Sequence, residues 1–157
     1  QKTAYEIVDC DWSSDVCSSD LMASLAAWAQ MTPVGVWHTI DDETKQAKGE
    51  VRITEQNGVL SGVLVRSLKE DPKAKPTCEL CTDDRKDQKI IGMEIIRNVS
   101  REGKDSDYLW AGKGTILDPN NGKVYTVKLV PIEGGKRLQV RGYLGVFYRT
   151  QHWVRVE

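Results

Sequence analysis

The sequence predicts an all-β protein, an eight-stranded antiparallel up-and-down β-barrel. From Gly35 onward, runs rich in Val, Ile, Leu, Tyr and Thr recur at short spacing, separated by Gly, Asn, Asp and Pro. The separators have the composition of hairpin turns. No stretch in this region keeps a helical period for three turns. Hairpin-linked strands form a meander, and closing a meander into a barrel removes its two exposed edges. Eight strands is a number that closes around side chains or one small ligand.

The expected strands, in order, are Gly35–Ile40, Gly49–Glu55, Val59–Ser67, Ile90–Ser100, Tyr108–Leu117, Lys123–Pro131, Arg137–Leu144 and Val146–Val156. Gln56-Asn57-Gly58 joins the second to the third through an Asn-Gly pair that tolerates positive φ. Asp118-Pro119-Asn120-Asn121-Gly122 turns between the fifth and sixth, because Pro presets φ and Asn and Gly accept left-handed geometry. Glu133-Gly134-Gly135-Lys136 makes the next turn, and Gly142 to Gly145 bracket the last. One connection differs. Arg66 to Lys89 holds two prolines, thirteen charges and two cysteines, and loops of this length in a compact domain are usually functional or mobile.

Alternation assigns faces. In the fifth strand Tyr108, Trp110, Gly112, Gly114 and Ile116 share one side, with Lys113 on the other. In the sixth, Tyr125, Val127 and Leu129 alternate with Thr126 and Lys128. In the seventh, Leu138, Val140 and Gly142 alternate with Arg137, Gln139 and Arg141. Aromatics beside glycines on an inner face fit two arrangements, an interior with room or a solid core using Gly for curvature.

The N-terminal segment is expected to stand outside this domain. Asp11 to Leu21, DWSSDVCSSDL, resembles the translation of an oligonucleotide adapter used in DNA sequencing, and QKTAYEI, Gln1 to Ile7, fits the upstream half of the same adapter. Residues 1–21 are therefore expected to be an assembly artefact. Residues 22–29 end in Ala27-Trp28-Ala29, a small-x-small pattern expected of a signal-peptide remnant, which places the protein in the periplasm. The single β-barrel domain is then 30–157. One lysine and five acids (Glu6, Asp9, Asp11, Asp15, Asp20) lie in 1–29, out of 22 basic and 23 acidic residues, so the domain carries 21 against 18, a net +3. The charges form no basic stripe, which speaks against nucleic acid. No later stretch is long enough for a transmembrane helix. The adapter reading also removes Cys10 and Cys17, leaving two cysteines.

The motifs from Pro33 to Val156 resemble one family. They are Gly35-Val36-Trp37, Cys78-x-x-Cys81, Ile91-Gly92-Met93, Trp110-Ala111-Gly112, Ile116-Leu117-Asp118-Pro119, Gly122-Lys123-x-Tyr125, Arg141-Gly142-Tyr143 and Gln151-x-Trp153-x-Arg155. Together they resemble the bacterial exported family called domain of unknown function 2147. The resemblance implies a small periplasmic β-barrel with no settled activity. A Gly-x-Trp on the first strand and an Arg on the last are also similar to the lipocalin pattern, in which the Trp plugs one barrel end and the Arg packs over it. Gly35, Trp37 and either Arg149 or Arg155 fill those positions here.

Cys78-Glu79-Leu80-Cys81 is the motif with reactive potential. A thioredoxin-type pair needs a helix N-terminus, which Pro72, Pro76 and Thr82-Asp83-Asp84 disfavour. A zinc site needs about four ligands, and only Asp83 and Asp84 stand nearby. A disulfide stapling the loop is the expectation for an exported protein. His38 and His152, on first and last strands, form a candidate metal pair, although strand histidines are more often surface residues. No nucleophile elbow, zinc-protease motif or phosphate loop occurs. Asp118 to Gly122 lacks calcium-loop spacing.

No catalytic residue, metal or cofactor is assigned. The leading expectation is a binding module for a small apolar or amphipathic ligand, with Trp37, Trp110, Tyr125 and Tyr143 facing inward and Arg149 beside them. The second is a structural or protein-interaction domain of the envelope with a filled barrel, partnered by an envelope protein. The third, an enzyme, requires a polar cluster such as Tyr143, Arg149 and His152 inside the barrel.

Overall fold

A computed structural model of the protein describes residues 31–69, 74–104 and 108–156. The expectations for residues 1–21 and 22–29 lie outside the described residues. Eight strands form a closed antiparallel barrel, each paired with the next and β8 returning to β1. They are β1 (Gly35–Ile40), β2 (Ala47–Gln56), β3 (Val59–Ser67), β4 (Glu94–Ser100), β5 (Thr115–Asp118), β6 (Lys123–Ile132), β7 (Arg137–Leu144) and β8 (Phe147–Arg155). The expected up-and-down barrel is the fold observed.

Two strands are shorter than the hydrophobic pattern suggests. The fourth was expected from Ile90 but begins at Glu94, because Gly92 and Met93 turn back onto β3 through bonds with Leu64. The fifth was expected from Tyr108, and only Thr115–Asp118 is regular. Tyr108 and Gly112 have φ of 47° and 46°, a left-handed backbone that breaks the pleat and its alternation. Trp110 still holds the seam. It bridges Arg101 at the end of β4 and Leu129 on β6, exchanging backbone bonds of 2.9 and 2.8 Å with Leu129.

The strand directions create two unlike ends. The β2–β3 turn, residues 101–104 and 108–114 and the turn at Glu133–Gly135 lie at one end, with Pro33 and Val34 entering there. The other end carries residues 41–46, the described part of the β3–β4 connection, the β5–β6 turn and the β7–β8 hairpin. The buried core is concentrated toward the first end, where Trp37, Val51, Ile53, Leu60, Ile96, Val99, Leu129 and Leu138 fill the interior.

The long connection is built in its described part. Cys78 and Cys81 form a disulfide and are both buried. Cys78 and Asp87 close a small ring of backbone bonds with Gln88 and Cys78, and Thr77 bridges Lys89. The cystine sits on the β5–β6 turn, with Cys78 Sγ 3.6 Å from the Pro119 carbonyl oxygen. Gly122 in that turn has a φ of 69°, and a Cβ there would overlap the Leu80 carbonyl. Gly122→Ala is therefore expected to cost roughly 2 kcal/mol or more, from left-handed strain plus displacement of the cystine loop. Chemical denaturation measures it; a loss below about 0.5 kcal/mol would contradict this packing.

Candidate functional site

One end of the barrel is sealed by an aromatic residue and a cation. Trp37 is fully buried on β1, and its indole Nε1 donates to the Pro33 carbonyl at 2.7 Å. Arg155 on β8 lies directly across the seam from it. Its guanidinium carbon is 4.2 Å from the indole ring centroid. The same guanidinium donates to the carbonyls of Gly135, Val34 and Thr32, at 2.6, 2.8 and 2.5 Å. Burial alone pushes the Arg155 guanidinium downward, against an ordinary value so high that the charge persists. Of the two arginines the sequence offered for this position, Arg155 takes it.

Above this floor the barrel is not filled. A cavity of about 650 Å³ opens toward the other end, and every strand contributes to its lining. The wall is largely aliphatic and aromatic: Leu64, Ile95, Ile116, Tyr125, Val140 and Trp153, with Gly49 and Gly142 leaving space. Gly142 faces Tyr125, and a Cβ there would meet the Tyr125 Cβ at 3.4 Å. Polar groups gather at the mouth: Asp42, Lys48, Asp118, Asn120, Arg149 and Gln151. The β3–β4 connection covers part of it with Leu80, Ile90 and Ile91.

The rim is electrostatically ordered. Arg149 pairs with Asp42, which also accepts from Gln151 Nε2 at 3.2 Å. Burial pushes the Asp42 carboxyl up, but the bonds from Arg149 and Gln151 outweigh it and leave it lowered. The hydrogen bond to Asp42 correspondingly raises the Arg149 guanidinium. In the loop, Arg85 is 3% exposed and donates to Asp83 and, at 3.0 Å, to the Glu94 carbonyl. That pairing holds the Asp83 carboxyl at about 2. Asp84 accepts two bonds from Arg97, at 2.7 and 2.9 Å.

The sequence-predicted residues separate into three places. Tyr125 and Arg149 lie on the cavity. Trp37 and Trp110 face inward but belong to the sealed end, where Arg101 stands 5.9 Å from the Trp110 ring. Tyr143 does not face inward. It follows the outward parity of Arg137, Gln139 and Arg141, and stacks against Tyr148 at 5.9 Å on the barrel exterior. Trp153, Ile95 and Gln151 were not anticipated as lining, whereas Val140 lies on the face that alternation assigned inward. Gln151-x-Trp153-x-Arg155 carried the signal for two of them, since its alternation puts all three on one face.

His38 and His152 are both on the outer face. His38 lies 3.4 Å from Glu50, which accepts from Arg66 at 2.7 Å; His152 borders a separate cleft with Asp41, Asp42 and Arg137. Among the described residues, no three His, Cys, Asp or Glu side chains gather as metal ligands. Tyr143 and His152 point outward, away from the interior cluster that a catalytic reading requires.

A closed eight-stranded barrel, plugged by a Trp–Arg pair at one end and hollow at the other, is lipocalin-like in architecture. Residues 35–155 match the family described as "Uncharacterized protein conserved in bacteria (DUF2147)", and the chain belongs to it. Among solved structures, the chain is similar to a Helicobacter pylori protein, "Protein HP1028 from the human pathogen Helicobacter pylori belongs to the lipocalin family". The identity is 20%, the TM-score 0.63, and the match covers 79% of this chain and 82% of that one. That likeness concerns the fold. A comparison with curated proteins gives no match.

Two outcomes follow from this geometry. Arg155→Lys keeps the charge but loses the planar fork that reaches three carbonyls, and is expected to cost roughly 2 kcal/mol in denaturant unfolding. A neutral result would remove the guanidinium from the closure. The second concerns acid. Asp83 titrates near 2 in the folded chain, below its ordinary 3.8. Its contribution is therefore present above about pH 4 and fades as pH falls toward 2. Asp83→Asn is expected to cost about 1–2 kcal/mol at neutral pH and to flatten the acid limb of a stability–pH curve. An unchanged acid limb would show that the pair is solvent-screened.

Proposed function

We propose that the protein is a periplasmic binding module that takes a small apolar or amphipathic molecule into the barrel. The cavity carries this reading. Its volume of about 650 Å³ falls within the range of small-molecule sites, about 300–1,000 Å³. An apolar wall with polar groups confined to the mouth suits a ligand with a hydrocarbon body and a polar end. The expected alternative of a filled barrel conflicts with this space. The buried disulfide supports an oxidising compartment, and for a bacterial family the periplasm is a compartment of that kind. No described helix is long and apolar enough to cross a membrane.

The test is to occupy the space from within. Freshly purified chain is examined by native mass spectrometry for a retained lipid-sized molecule, then titrated with a fluorescent naphthalene sulfonate. Saturable one-to-one binding with quenching of tryptophan emission is expected. Val140→Trp and Gly142→Leu both project into the cavity, and each is expected to weaken probe binding at least about tenfold, the effect of displacing one well-packed apolar contact. Their thermal midpoints report folding independently, and Gly142→Leu carries the test if Val140→Trp is overpacked. Unchanged affinity in folded plug variants would contradict binding inside the barrel.

A further inference from the structure

The β7–β8 hairpin at the open end is built unlike the other turns. Its tip presents Leu144, Val146 and Phe147, with Val146 and Phe147 exposed at 89% and 77%. Just behind the tip, Tyr143 and Tyr148 pair across the two strands on the outer face, with Tyr148 exposed at 65%. Behind them stand two cations. Arg141 lies 5.1 Å from the Tyr148 ring and Lys128 lies 5.6 Å from the Tyr143 ring. The order along the hairpin is thus apolar tip, tyrosine pair, then cations. The register runs from Leu144↔Phe147 to Arg141↔Thr150, three residues and about 10 Å of strand.

We infer that this hairpin docks the open end of the barrel on an anionic lipid surface. The layering matches a bilayer leaflet in sequence and scale. Interfacial elements bury an apolar part about 5–10 Å deep, tyrosines sit at the headgroup level, and lysine and arginine remain among the phosphates. The charge pattern selects the sign of the surface. Five acidic residues at this end pair with cations, Asp41 with Lys69, Asp42 with Arg149, Glu79 with Lys75, Asp83 with Arg85 and Asp84 with Arg97; Asp118 accepts from Asn120 and Asn121, and among the described residues Glu43 and Asp87 have no cation partner. Among the described residues, Lys128 and Arg141 have aromatic and hydroxyl neighbours but no carboxylate, which leaves their charge for lipid phosphate. Leu80 and Ile91 add exposed apolar side chains on the β3–β4 connection at the same end. The docked barrel would face the membrane with its mouth. The docking itself rests only on the exterior and does not require an occupied cavity.

Flotation of the full chain with vesicles tests this. Vesicles of phosphatidylglycerol and phosphatidylethanolamine are expected to carry the chain upward, and phosphatidylcholine vesicles are not. V146D/F147D is expected to lower the bound fraction at least about tenfold, as loss of two apolar insertions implies. Lys128→Gln with Arg141→Gln, or about 1 M salt, should abolish the preference for anionic lipid. Val59→Asp, an exposed apolar residue at the sealed end, serves as the control and should float as the unaltered chain does. Folding of each variant is checked by thermal unfolding. The cavity-plugged Val140→Trp should also float, which separates this inference from ligand binding. Three results would overturn it: no flotation on any vesicle, equal loss in Val59→Asp, or a tip that covers another protein. The last would appear as a dimer or a protein cross-link abolished by V146D/F147D without vesicle binding.

Discussion

The contact between Arg155 and Trp37 closes the barrel, and the rest of the structure depends on it. The β1–β8 seam has only two register pairs, Trp37↔Arg155 and His38↔Val154. A ladder this short, like that of β4–β5, supplies fewer backbone bonds than the longer seams. The guanidinium compensates by reaching chain segments on both sides, Thr32 and Val34 before β1 and Gly135 before β7. It does so while stacked on an indole, an arrangement worth about 0.5–2 kcal/mol beyond the hydrogen bonds. A lysine has neither the fork nor the flat face to serve both roles.

Sealing one end concentrates the apolar core there and leaves space at the other. Trp37, Leu60, Leu129 and Leu138 fill the lower interior, so closure does not require the upper interior to be packed. Val140 and Trp153 form the boundary, touching the core below and the cavity above. The cavity is kept open by strands that are held elsewhere, by the β6–β7–β8 ladders and by the cystine loop on the β5–β6 turn. Loop and rim are tied by charged side chains: Arg85, bonded to the Glu94 carbonyl, and the Asp84–Arg97 pair anchor the connection to β4, and Asp42–Arg149 ties residues 41–46 to β8. Rigidity at the mouth is thus electrostatic and covalent, whereas the floor is held by packing.

Strand order and the closed barrel could be read from the sequence because alternation and turn chemistry are local signals. The Trp37–Arg155 closure was half readable, since first and last strands must meet but two arginines competed for the position. The expected lining was less successful, for a physical reason. Alternation separates inside from outside but says nothing of height along the barrel axis, so Trp37 and Trp110 were grouped with Tyr125 although they belong to the floor. Tyr143 was misplaced against the parity of its own strand, where Leu138, Val140 and Gly142 already occupy the interior. The break in β5 depends on the left-handed backbone at Tyr108 and Gly112, and a glycine in a strand-like run is only a general sign of a bulge. Empty volume has no local sequence signal at all. It is the difference between the radius set by eight strands and the side chains from all of them.

The interior is hollow above the Trp37–Arg155 floor and solid at that floor. A crystal structure of the chain under xenon pressure tests this most directly, because xenon enters apolar voids and marks them by its scattering. Xenon is expected among Leu64, Ile95, Val140 and Trp153, and none between Trp37 and Leu60. Opposing side chains meeting across the upper barrel, with no xenon inside, would contradict it.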